Sequence, residues 1–151
     1  MKISVLFSLC LLAVGCGGYL SDPSSTMAVA SQKAKPSVVQ LAEAPLASSP
    51  SAKAKITHLA RGNNAYLGHL WIAPNAGVPL HRDLTEEYLF VMEGGGMLTM
   101  NGSNYALTVG SAVFMPAGAE VKFQNGDAAT IVLQVFAGPA SADKYQKWQI
   151  Q

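Results

Sequence analysis

Between positions 55 and 136 the chain is divided into apolar runs of three to seven residues, each closed by a turn signal, and this spacing constrains the fold more than any other feature. The runs occupy 55–59, 66–72, 88–92, 97–100, 105–109, 112–115, 121–123 and 130–136 and are rich in Val, Leu, Phe, Tyr and Thr. Strands at such regular intervals predict an all-β sandwich or barrel. Asn101-Gly102, set between Met97-Leu98-Thr99-Met100 and Tyr105-Ala106-Leu107, is a two-residue hairpin turn that needs positive φ at both positions. Gly94-Gly95-Gly96 allows a tight reversal, and Pro116-Ala117-Gly118 ends a strand by removing a donor and then freeing φ. Only the tail, 141–151, reads as helical.

A chain of 151 residues, half of them hydrophobic, is sized for one compact core. Ten basic and nine acidic side chains leave a formal charge of +1, with no basic cluster to meet nucleic acid. There is no Gly-x-Ser-x-Gly elbow, no phosphate-cradling loop opening a helix and no Cys-x-x-Cys pair.

The region from Gly77 to Gly126 adds a second pattern to the strands. It reads His81-x-Asp83-x3-Glu87-x6-Gly94 and, beyond the hairpin, Gly110-x5-Pro116-x-Gly118-x6-Asn125. These stretches resemble the two motifs of the cupin superfamily, Gly-x5-His-x-His-x3or4-Glu-x6-Gly and Gly-x5-Pro-x-Gly-x2-His-x3-Asn. Asp83 stands at the second histidine, Val121 at the histidine of the second motif, and Asn75 at the first glycine, with Gly77 two residues on. The resemblance implies a double-stranded β-helix, a small jelly-roll barrel over 54–140 with a short C-terminal helix over 141–151. It also implies that His81, Asp83 and Glu87 point inward as a metal-ligand set.

Carboxylates suit manganese or iron, and imidazole suits most transition metals, so such a set is able to coordinate one divalent ion, whether Fe, Mn, Zn or Ni. Losing an imidazole to the isopropyl group of Val121 removes one bond and makes that wall apolar. The metal is therefore expected to be weak or absent. His69 is the candidate fourth ligand if Leu67, His69 and Trp71 face inward, with Trp71 and Val121 as apolar walls for a ligand. Alternation does not say which face is inner, and the other reading is a histidine hydrogen-bonded in the sheet. His58 has no motif around it. Glu86 and Glu87 are adjacent on one strand and point to opposite faces, so they form no dyad. With Glu87, Leu89 and Val91 inward, Tyr88, Phe90 and Met92 form an apolar outer row. That row is expected to pair with a second copy of the chain as a homodimer, or to lie under the C-terminal segment with Tyr145 and Trp148.

At the N-terminus, Lys2 and the apolar run 3–14 have the form of a secretory signal peptide and are too short to span a bilayer. Leu12-Ala13-Val14-Gly15-Cys16 resembles a bacterial lipobox, which implies removal of residues 1–15 and a lipid on Cys16. The alternative is an ordinary signal peptide cut further on. Cys10 leaves with the signal, so no disulfide is expected. Residues 16–53, half of them Ala, Ser or Pro past the cysteine, read as a flexible tether with a reach of about 30 Å. The short apolar patch Val38-Val39-Gln40-Leu41 inside it is an alternative first strand.

These features predict an envelope-anchored, small-molecule-binding cupin whose membrane contact is the lipid alone, facing the periplasm from the outer membrane in a Gram-negative host. The alternative is a metal-dependent cupin enzyme, a dioxygenase, decarboxylase or isomerase using His81, Asp83 and Glu87. A third is a structural envelope protein whose pocket is filled by its own side chains. Cells fed labelled palmitate should incorporate it into the wild-type chain and lose both label and membrane association in Cys16→Ser; equal labelling of the variant would refute the lipobox assignment.

Overall fold

In a computed structural model, residues 35–151 are described, so the signal peptide, Cys16 and the first half of the expected tether lie outside the described residues. Among the described residues, eleven strands form two antiparallel sheets. In chain order they are β1 (Leu46–Ser48), β2 (Ala54–Arg61), β3 (Tyr66–Ile72), β4 (Gly77–Arg82), β5 (Glu86–Glu93), β6 (Gly96–Met100), β7 (Ser103–Leu107), β8 (Ala112–Met115), β9 (Glu120–Asn125), β10 (Thr130–Ala137) and β11 (Gln149–Ile150). One sheet has the order β11-β1-β2-β3-β10-β5-β8 and the other β4-β9-β6-β7. The all-β expectation holds. Among the described residues no helix is long and apolar enough to cross a membrane.

Period-two alternation decides what each strand buries. Along β3, Tyr66, Gly68, Leu70 and Ile72 are buried, and along β10 so are Thr130, Val132, Gln134 and Phe136. They face Leu98, Leu107 and Val121 of the smaller sheet across the interior. Gly68 is on the inner face because a Cβ there would lie 2.7 Å from Ile56 Cδ1 and 2.8 Å from the Tyr66 hydroxyl. At the hairpin, Asn101 and Gly102 take φ of 48° and 82°, the turn that the Asn-Gly pair predicts between β6 and β7.

Three expectations need correction. Within the stretch read as a tether, Leu46–Ser48 is a strand, paired with β2 on one side and β11 on the other, while Val38 and Val39 stay exposed outside the sheet. Its three residues and the preceding proline hide it in the sequence; partners on both sides supply the bonding that its length cannot. The tail is helical as expected, a 3₁₀ segment over Pro139–Lys147 whose last residues return to the sheet edge as β11. That segment does not cover the outer row. Tyr88, Phe90 and Met92 remain exposed together with Phe114, which stacks on Tyr88 at 5.1 Å, whereas Tyr145 is buried on the inner side.

The two sheets are tied where the chain passes between them. The amide nitrogen of Asn125 lies 3.1, 2.7 and 3.0 Å from the carbonyl oxygens of Ile72, Ala73 and Ala128, and its oxygen accepts from Gly126 N and Thr130 Oγ1. Two amide hydrogens cannot fully serve three carbonyls, so one bond is shared. Thr130 Oγ1 in turn accepts from Gly95 N and shares its one proton between Asn125 Oδ1 and Gly95 O. Three crossings, β3 to β4, β5 to β6 and β9 to β10, thus meet on two buried side chains. Gly94, at φ 69°, leaves no room for a Cβ, which would sit 2.2 Å from Ala129 O. Asn125→Ala should lower stability by about 2–4 kcal/mol in urea unfolding, since it strands several buried backbone groups; a loss below about 1 kcal/mol would show that the crossings hold without it.

Candidate functional site

Histidine 81 reaches the interior through an irregular strand. On β4, Val78 pairs with Phe123 and His81 with Val121, so two residues of β4 lie opposite one of β9 between those pairs. This bulge contains Pro79, which has no N–H to give the ladder. It lets Val78 and His81, three apart, both line the cavity, which strict alternation forbids. His81 Nδ1 sits 2.8 Å from Pro79 O. A carbonyl can only accept, so Nδ1 carries a proton, and Nε2, 3.4 Å from Asp83 Oδ2, donates to that carboxylate when the ring is the imidazolium. The hydrogen bond to Asp83 is the chief reason the imidazole is held above its usual value, with burial opposing it.

Asp83 follows β4 in the crossing to β5. Both its oxygens accept from Lys144 Nζ at 2.9 Å. Burial alone would raise this carboxyl, but His81 and Lys144 outweigh it and hold it below its usual value. Lys144 Nζ also lies 4.8 Å from the centre of the Phe136 ring. Glu87, on β5, is only 5% exposed. Its Oε1 accepts from Gln134 Nε2 on β10, and Gln134 Oε1 accepts from the Tyr145 hydroxyl at 2.7 Å. Burial pushes the Glu87 carboxyl up to about 7, against the Gln134 bond and the Lys144 charge.

His81, Glu87, Gln134, Lys144 and Tyr145 form a polar corner of a cavity of about 350 Å³. Leu70, Ile72, Leu89, Leu98, Met115 and Val132 supply its apolar walls. Val121 lines it, directly across the ladder from His81. His69 and Trp71 do not. They lie on the outer face of β3, because Gly68, Leu70 and Ile72 take the inner one, and Lys55 Nζ rests 5.4 Å from the Trp71 ring. Neither a fourth ligand nor a ligand wall comes from that face. His58 bonds the Tyr66 hydroxyl at 2.8 Å and is part of the sheet's packing.

Three functional side chains escaped the sequence: Gln134, Lys144 and Tyr145. Gln134 had a signal, a polar residue in an otherwise apolar run, Thr130 to Phe136. Lys144 and Tyr145 had none, since their place depends on the tail's path. Ser141 fixes that path by bonding Thr85 N at 3.1 Å and Thr85 Oγ1 at 2.7 Å.

The donor atoms of His81, Asp83 and Glu87 lie within 4.8 Å of one another, near enough to share an ion. Their surroundings do not fit a resident metal. Both Asp83 oxygens are taken by an ammonium, Glu87 is hydrogen-bonded and biased toward its neutral form, and the fourth side is the Val121 isopropyl group.

Residues 68–136 match the family described as the cupin domain. Among solved structures, an RmlC-like cupin from Shewanella frigidimarina NCIMB 400 is similar at TM-score 0.65 and 17% identity, over 73% of this chain and 96% of that one. A predicted oxalate decarboxylase from Thermotoga maritima is similar at TM-score 0.60 and 23% identity, over 68% and 99%. The polyketide cyclase RemF from Streptomyces resistomycificus gives 0.60 and 20%, over 69% and 80%. No curated protein sequence matches the chain. At these identities the likeness is one of fold, and the fold is the cupin barrel that the two motifs imply.

Because Glu87 titrates near 7 when folded and near 4.5 ordinarily, the native state keeps a proton that the unfolded chain releases. Stability therefore falls as pH rises from about 4.5 to about 7 and levels off above. Glu87→Gln should remove most of that slope and be more stable than wild type at pH 8 by roughly 2–3 kcal/mol. Urea unfolding of both proteins across this range is the check, and parallel profiles would mean that Glu87 is ionised in the fold.

Proposed function

We propose that this cupin-fold protein binds a small molecule with an apolar body and one polar group, and that a lipid on Cys16 holds it at the bacterial envelope. The observation that carries the binding role is the open cavity of about 350 Å³, apolar on most sides and polar at the His81, Glu87, Lys144 and Tyr145 corner. Its volume lies within the range of small-molecule sites, and this corner gives a ligand polar partners beside largely apolar walls, with Ser49, Ser51, Lys53 and Lys122 also on the lining. A barrel serving only as structure would fill this space with its own side chains. The envelope location rests on the lipobox-like sequence before Cys16.

A metal-dependent cupin enzyme draws support from the convergence of His81, Asp83 and Glu87. Lys144 weighs against it, because a dication at the same oxygens would face an ammonium in contact with them.

Trp148 lines the cavity and Trp71 lies outside it, so the full chain with Trp71→Phe reports on the site through one indole. Titration with a panel of small aromatic and branched aliphatic acids and alcohols should give saturable changes in Trp148 emission for some members. Val121→Phe, which fills the interior, should weaken them at least tenfold, or about 1.4 kcal/mol, while far-ultraviolet dichroism stays native. No response to any member, or equal binding by the variant, would remove the basis for the ligand role.

A further inference from the structure

Lys144, whose side chain is 37% exposed, reaches Asp83 from a segment that is held in place. The segment that carries it is fixed at three points: Ser141 on Thr85, Tyr145 on Gln134, and β11 on the edge of β1, where Gln151 N also donates to Leu46 O at 2.9 Å. Its ammonium meets both oxygens of Asp83 at equal distances of 2.9 Å. On its other sides lie the Phe136 ring at 4.8 Å and the Tyr145 ring at 5.7 Å. Two aromatic faces and a doubly bonded carboxylate together make a built cation site, and the cation is part of the chain.

The same carboxylate belongs to the only His/Asp/Glu group among the described residues whose donors converge tightly enough for an ion. We propose that Lys144 is the resident cation of this barrel, standing in for a divalent metal: it neutralises Asp83, holds that carboxylate against His81, and keeps transition metals out of the His81–Asp83–Glu87 cluster. This is carried by the contacts of Lys144 and goes beyond the ligand-binding role proposed above by giving the identity of the charge at the polar corner.

Charge replacement predicts a gain of metal binding on loss of the lysine. A dication entering the wild-type site must displace the ammonium from both Asp83 oxygens or be repelled by it at contact range. In Lys144→Met the methylenes are kept and the charge is gone, so both Asp83 oxygens are released beside His81, while Glu87 keeps its bond from Gln134. Chelator-treated full chain in detergent is titrated with Zn²⁺, and separately Mn²⁺, by calorimetry. Wild type should bind no ion at micromolar concentrations. Lys144→Met should bind one Zn²⁺ at least tenfold more tightly than wild type, and adding Asp83→Asn should abolish the gain.

The proposal is overturned if wild type takes up one ion per chain at micromolar concentration, or if folded Lys144→Met binds no better than wild type. Should Lys144→Met not fold, the wild-type titration alone decides, with tight stoichiometric uptake against the proposal and weak or no uptake for it. Trp148 emission on Trp71→Phe, read separately with the acids and alcohols, keeps the two ideas apart. Silence there with the metal result as expected removes the ligand role and leaves Lys144 as the resident cation.

Discussion

Two sheets of seven and four strands hold their interior open because the crossings between them are anchored on a pair of buried polar side chains, Asn125 and Thr130. A barrel with a cavity cannot rely on apolar packing through its centre, so its ends must carry more of the definition. Carbonyl groups at sheet ends are costly to bury unpaired, and one amide that serves several of them couples three connections at once. The motif's asparagine and Gly94 are therefore residues of architecture. Their presence says that the barrel forms, and it says nothing of what the barrel binds.

Inside that frame the difficult group is Glu87. A carboxyl on the inner face of a sheet must be partnered, neutral or both. Here Gln134 sits diagonally across the β5–β10 ladder and supplies a donor, and Tyr145 satisfies the far end of that glutamine. The tail is drawn into the barrel mouth by this demand and by the Ser141–Thr85 contact. Once there, it delivers Lys144 to Asp83. Stability and the charge pattern of the site are thus set by the same short segment.

This arrangement gives the changed motif positions a common physical meaning. An aspartate in place of a histidine offers a negative charge that an ammonium can neutralise, whereas an imidazole would offer only a lone pair. A valine in place of the other histidine extends the apolar wall. The valine is costly to a metal site, and both changes are compatible with a cavity whose cation is a lysine. The fold is shared with enzymes of several kinds, and the chemistry of each site must be read from its own side chains.

How much was legible beforehand differs from residue to residue. The strands and the Asn101-Gly102 reversal follow from local chemistry, since alternation and turn conformation depend on neighbours a few residues apart, whereas the inward side of Glu87, Leu89 and Val91 was implied by the motif resemblance. The strand β4 was masked by its bulge and proline, and β1 by its brevity. The inner face of β3 was undetermined because alternation separates two faces without saying which one meets the other sheet, and only pairing with β2 and β10 turned His69 and Trp71 outward. Lys144 and Asp83 are 61 positions apart, and no local pattern links them. Short-range chemistry in the chain therefore settled the elements and half of the candidate site. The cation that completes that site was decided by tertiary structure, because the path of the tail is set by what a buried carboxylate needs for partners.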